Sequence, residues 1–130
     1  MYKWGKTSQK IRQELCPDLQ RLVDLMLAKS EFDMSLICGF RDKIAQDFAY
    51  NNGTSNARFG ESAHNYFPAR AVDIIPCGPI DWDSKNPRWM KMVENAKECA
   101  SAIGIEITCG ADFKKLKDYP HIEMKNWKNA

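Results

Sequence analysis

The sequence predicts an α+β fold, one small antiparallel β-sheet with helices around it. Three observations lead there. Apolar residues repeat at helical spacing over two long stretches, from Pro17 to about Ser30 and from Trp89 to Ile103. Four short runs, at 33–40, 71–75, 105–109 and 121–124, read as strands bounded by Gly, Pro or polar clusters. The order is helices, strand, helix, strand, helix, strand, strand. With short connections near the end, that suits a small antiparallel sheet better than a doubly wound one. At 130 residues, the chain reads as a single domain over residues 1–130, with no length for a second folded module.

The elements follow in order. Thr7-Ser8 is the expected N-cap of a first helix running through Gln9 to Leu15. Cys16-Pro17 interrupts it, and Pro17 and Asp18 suit the first turn of a second helix. Leu19, Leu22, Val23 and Met26 form that helix's core stripe. Met34, Leu36 and Cys38 alternate with Ser35, Ile37 and Gly39 in the first strand, so both of its faces are expected to be partly buried. Gly39-Phe40-Arg41 leaves that strand for a third helix, Asp42 to about Tyr50. Most of residues 51–69 should then be loop, which is long for a compact domain, and long structured loops are often functional. Ala71 to Ile75 is a strand stopped by Pro76. The long helix carrying Trp89, Met92, Val93, Ala96, Ala100 and Ile103 ends at Gly104. Ile105 to Cys109 and His121 to Met124 complete the sheet.

Bulk composition excludes several classes. A net charge of +2 lacks the clustered basic face of a nucleic-acid binder. No run of about 18 apolar residues occurs, so no membrane insertion is expected, and the N-terminus lacks an apolar core of signal-peptide length. The five cysteines have no CxxC spacing and read as reduced thiols packed like small hydrophobes.

The chemistry concentrates at the two histidines. His64 lies in Ser62-Ala63-His64-Asn65-Tyr66, nine residues before Asp73, and His121 closes Asp118-Tyr119-Pro120-His121. His64, Asp73 and His121 offer the nitrogen and oxygen donors of a hydrolytic zinc site, which takes three protein ligands and keeps one position open. Asp118 would be the base that takes the proton of the attacking water. Pro120 pushes Tyr119 extended, so Asp118 can lie in an approach loop and turn back towards the site. Ser62 is placed to hydrogen-bond a ligand or a substrate oxygen. Glu123 is placed to orient an imidazole or to be an ordinary surface carboxylate. The bland alternative, two incidental histidines in a helical interaction protein, predicts no bound metal.

The pattern Ser62-x-His64, Ala71-x-Asp73, Asp118-x-x-His121 resembles the zinc peptidases that include D-alanyl-D-alanine carboxypeptidases and dipeptidases and the phage L-alanyl-D-glutamate endopeptidases. Gly39-Phe40-Arg41 resembles that family's Gly-aromatic-Arg turn, Gln46 fits the helix after it, and Gly110-Ala111-Asp112-Phe113 resembles a Gly-Gly-Asp-Trp segment. The resemblance covers roughly residues 36–124, and the His-Asn-Tyr run followed by Pro-Ala is most like phage lysis enzymes.

The resemblance implies a Hedgehog/DD-peptidase-like sheet carrying one Zn2+ per chain on His64, Asp73 and His121. It implies Asp118 as general base and acid, Arg41 on a substrate carbonyl or carboxylate, and Ser62 and Gln46 in support. The implied partner is the peptidoglycan stem peptide, and the implied enzyme is a monomeric phage endolysin without a separate wall-binding domain. It would be made in the host cytoplasm and reach the wall through a holin-type membrane hole. A D-Ala-D-Ala carboxypeptidase or dipeptidase, and a non-catalytic zinc-stabilised binding domain, are the competing expectations.

The chain departs from that family's common form in places. Eight residues, 65–72, separate His64 from Asp73 where six are common, and Phe67-Pro68 replaces a Gly region. That loop is expected at the lip of the cleft, setting substrate preference. Cys109 stands where relatives often carry Trp, so Trp82 is a candidate for the missing aromatic wall. Asp81 and Asp83 are spare carboxylates.

Overall fold

Four strands form one antiparallel sheet in the order β1-β2-β4-β3. The computed structural model describes residues 2–78, 86–114 and 117–129. In chain order the elements are α1 (Lys6–Glu14), α2 (Pro17–Lys29), β1 (Met34–Cys38), α3 (Lys43–Asn51), β2 (Ala71–Pro76), α4 (Pro87–Ile103), β3 (Ile107–Cys109) and β4 (His121–Met124). Short 3-10 turns at Ala63–Asn65, Gly110–Asp112 and Trp127–Asn129 sit between or after them. The expected α+β architecture is the observed one.

The helix boundaries have local causes. Proline opens both α2 and α4, where its missing N–H costs nothing. Asp42 caps α3 by accepting from Ala45 N at 2.9 Å, and Asn86 caps α4 by accepting from Arg88 N. Gly104 closes α4 in the left-handed region at φ 74°, a conformation that glycine adopts without Cβ strain. Ser8 is the exception to expectation. It lies inside α1, is buried, and its hydroxyl accepts the Leu36 N–H of β1 at 3.0 Å. A buried backbone donor on the edge strand needed an acceptor more than α1 needed a cap.

The two faces of the sheet do different work. Leu36, Val72, Ile74 and Ile122 point to the side covered by α2 and α4, where Leu22, Met26, Trp89, Met92 and Val93 complete the main core. The alternate residues of β2 and β4, including Ala71, Asp73, His121 and Glu123, face the other way. There Ala71 packs with Ala63 and Trp127 in a second, smaller apolar cluster.

Three details differ from the sequence expectation. Pro76 lies within β2, opposite Met34 on the edge strand β1. β3 begins at Ile107 rather than Ile105. In β1, the pairing slips between Leu36 and Cys38, a bulge that leaves Ile37 45% exposed instead of partly buried. The bulge sets Cys38, not Ile37, opposite Asp73.

Candidate active site

The sheet register builds the site. Cys38, Asp73 and His121 stand side by side across β1, β2 and β4. His64 is brought over them by the 3-10 turn Ala63–Asn65. Ser62 caps that turn, its hydroxyl accepting His64 N at 3.2 Å, while Asn65 Oδ1 accepts Ser62 N at 3.1 Å and Gly60 N at 2.9 Å. The rest of the loop is tied down at its end, where Ala69 N donates to Glu14 O and Cys16 N donates to Ala69 O.

Three acceptor atoms converge. His64 Nε2 lies 3.3 Å from Asp73 Oδ1 and 3.2 Å from His121 Nδ1, and His121 Nδ1 lies 3.2 Å from Asp73 Oδ1. The outer nitrogens determine the tautomers. His64 Nδ1 is 2.7 Å from the Gly39 carbonyl and His121 Nε2 is 2.7 Å from Glu123 Oε1. Both partners are acceptors, so both outer nitrogens carry protons, and in the neutral rings both inner nitrogens present lone pairs. Two lone pairs and a carboxylate oxygen in a tight triangle, with both imidazoles buried, could hold a cation between them. Ligand atoms about 2.0–2.1 Å from a tetrahedral ion lie about 3.3–3.4 Å apart, close to the edges found here. The donor set therefore fits a small divalent metal.

Burial and neighbouring charges act on the same groups. Burial opposes charge on His64, but Asp73, with Cys38 beside it, outweighs burial and pushes its pKa up to about 10. His121 is likewise pushed up to about 9 by Asp73 and Glu123 against burial. Burial also opposes ionisation of Asp73, yet hydrogen bonds from His121 and His64 hold its carboxyl well below the usual range. Asp118 moves the other way. Burial, and then the Asp73 charge, push its carboxyl up, the direction that suits a proton acceptor working near neutrality. Its carboxylate lies within 4.8 Å of donor atoms of Asp73 and His121.

A cleft of about 610 Å³ opens over this cluster. Arg41, His64, Asp118 and His121 line one part of it, and Phe113, Trp127 and Lys128 contribute further wall. Arg41 is aimed inward: its Nη2 stands 3.8 Å from Asp73 Oδ2, and its Nη1 donates to Gln46 Oε1 at 3.0 Å.

A family described as phage L-alanyl-D-glutamate peptidase matches residues 1–129. The chain belongs to this family. It is 33% identical over 129 residues to the L-alanyl-D-glutamate peptidase of Escherichia phage T5, covering 95% of this chain and 90% of that protein. It is also 33% identical over 134 residues to the peptidoglycan L-alanyl-D-glutamate endopeptidase CwlK of Bacillus subtilis, covering 88% of this chain and 75% of that protein. The fold matches the crystal structure of the Serratia marcescens L-Ala D-Glu endopeptidase ChiX with a TM-score of 0.79 at 24% identity, over 95% of this chain and 90% of that one.

Within this family member, the residues singled out from sequence fall in three groups. His64, Asp73, His121, Asp118 and Arg41 meet at the cleft. Ser62 lines the cleft too, but its hydroxyl is engaged by the backbone of His64, and Glu123 is engaged by the His121 ring. Gln46 is fully buried, so it acts behind the wall rather than on substrate. Its amide donates to Ser55 Oγ and Ala57 O and accepts from Arg41 and Asn65, joining four segments at one point.

One expectation needs correcting. Phe67 and Pro68 do not line the cleft; Phe67 packs edge-on against Phe40, and residues 54–57 and 61–64 form the lip instead. An aromatic wall is present in Trp127 and Phe113, while Cys109 is buried in the main core. Trp82, Asp81 and Asp83 lie outside the described residues. Sequence reading also passed over Cys38, whose sulfur can join His64 and Asp73 in a metal-binding group, and Asn65, which links the His64 turn to Arg41 O and Gln46. The Asn after Ser-x-His was in view; only its two-sided amide network was not.

Gly110 sets the position of Asp118. A Cβ there would stand 2.1 Å from Asp118 O and 2.9 Å from His121 Cβ, while Gly110 O accepts Asp118 N at 2.9 Å. Gly110→Ala should therefore displace both Asp118 and His121, with a stability loss of about 1–3 kcal/mol in urea unfolding. An unchanged unfolding midpoint would show that this close approach is not required.

Proposed function

We propose that this protein cleaves the L-alanyl-D-glutamate bond of the peptidoglycan stem peptide, using one zinc ion held by His64, Asp73 and His121. The observation that carries the reading is the three-acceptor triangle with Asp118 beside it, in a chain of this peptidase family. Two nitrogen donors and one carboxylate form a set characteristic of catalytic zinc. When bound, the ion supplies Lewis-acid polarisation of a peptide carbonyl and lowers the pKa of water.

The chain's own residues carry the remaining steps. Asp118 takes the proton of the attacking water on its carboxylate and passes it to the leaving amine. Its raised pKa favours holding that proton between the two events. Arg41 presents its guanidinium to the oxygen on which negative charge develops, and Gln46 holds that guanidinium in place. Glu123 and the Gly39 carbonyl keep both imidazoles in the ligating tautomer. Phe113 and Trp127 shield the cleft and give the peptide an apolar wall.

The names of the two relatives favour this bond over the D-Ala-D-Ala bond. A raised carboxyl next to the triangle favours an enzyme over a binding domain, which needs the three ligands but no base. We read residues 1–130 as one peptidase domain acting as a monomer in phage lysis, reaching the wall through a holin-type opening. No helix among the described residues is long and apolar enough to cross a membrane.

Digestion of purified peptidoglycan tests the reaction. Wild type should release new glutamate amino termini, and EDTA should abolish this. Asp118→Ala should retain zinc and lose about 10²- to 10⁴-fold in rate. An Asp118→Ala variant with near wild-type activity would remove Asp118 from the role of base.

Zinc uptake should also depend on pH. Asp73 raises the pKa of both rings above the ordinary histidine value, so zinc must displace protons from their inner nitrogens as it binds. Affinity should therefore rise with pH, by up to roughly 100-fold per unit below both pKa values if two protons leave. Zinc titrations at pH 6 and 7.5 check this, and equal affinities at the two would contradict the assignment.

A further inference from the structure

Among the described residues, the cations that line the cleft are Arg41 and Lys128, and they are not equivalent. Arg41 is committed to the reacting end, bonded to Gln46 Oε1 and Cys38 Sγ and facing Asp73. Lys128 lies on the 3-10 turn after β4, its ammonium 5.4 Å from the centre of the Trp127 ring. It makes no salt bridge among the described residues. The carboxylates that share the cleft with it have other engagements. Glu123 holds His121, Glu61 accepts the Arg58 N–H at 2.8 Å, and Asp118 adjoins the Asp73 and His121 donors. The turn is anchored from below, since the Arg70 guanidinium donates to Trp127 O and lies over the Tyr66 ring, which packs on Trp127. An ammonium with no salt bridge among the described residues, beside an anchored aromatic ring at the edge of the cleft, is free to receive an anion on the peptide.

The substrate supplies one. In the stem peptide, D-glutamate is linked onward through its side-chain carboxyl, so its α-carboxylate stays free one carbon from the scissile nitrogen. We propose that Lys128 recognises this α-carboxylate and makes the enzyme prefer stems with free D-glutamate over stems in which that carboxyl is an amide. This inference rests on the L-alanyl-D-glutamate reading above.

The test uses the zinc-loaded full chain and two soluble stem peptides that differ only in this group, acid or amide. Wild type should cleave the acid peptide with the higher kcat/KM. Lys128→Met should raise KM for the acid peptide about three- to tenfold while leaving the amide peptide unchanged, so that the preference disappears. Lys128→Arg should restore it. Lys128 is exposed, and an unchanged zinc content and circular dichroism spectrum will show that the variants are folded. Equal losses on both peptides, or no loss on either, overturn the assignment of Lys128 while leaving the bond assignment intact. If wild type cleaves neither peptide between L-Ala and D-Glu, the bond assignment itself falls, and this inference with it.

Discussion

A half-buried carboxylate between two imidazoles is the constraint on which the rest of this structure depends. Asp73 sits in the middle of the sheet with inner nitrogens of His64 and His121 about one hydrogen-bond length away. Its negative charge cannot be left uncompensated there. Protons on the two rings can balance it, and so can a metal ion, but nothing apolar can. The outer partners, a backbone carbonyl and Glu123, hold the rings so that their inner nitrogens face the carboxylate whichever cation is present. The sheet then has to be one-sided. Val72 and Ile74 bury the helix face, and Asp73 between them must point to the other, where the cleft opens.

The cleft is assembled from segments with little regular structure, so its precision comes from polar contacts rather than from strands or helices. Gln46 and Asn65 use both ends of their amides to lock Arg41, the His64 turn and residues 55–57 together. Gln46 and Asn65 are buried, so breaking one of these contacts leaves a buried amide short of a partner. Gly110 does the corresponding work on the other wall, letting two backbones meet so closely that Asp118 and His121 are positioned by the same contact.

Much of this was legible in the sequence because motifs record chemistry. His64, Asp73, His121, Asp118 and Arg41 were all identifiable as residues whose types and order suit one hydrolytic site, and the periodicities of α2, α4 and β4 delivered the scaffold. The misses share a cause, which is that they depend on pairing rather than on pattern. Cys38 reaches the site only because β1 bulges, and a bulge is set by the partner strand. Ser8 looked like a cap because caps are local, whereas its actual partner, Leu36 N, is 28 residues away. The extra length around Phe67-Pro68 suggested a specificity loop. Instead Phe67 turned to Phe40 and the lip was formed by residues earlier in the loop, a choice made by tertiary contacts.

The central claim is that the ion sits on two imidazole nitrogens and one carboxylate oxygen, with the nearby Cys38 thiol excluded. X-ray absorption at the zinc edge of the zinc-loaded protein measures this directly. The account predicts a first shell of nitrogen and oxygen scatterers at about 2.0–2.2 Å with imidazole outer-shell features. A sulfur scatterer at about 2.3 Å would contradict it, because it would put Cys38 on the metal in place of one of the three proposed ligands.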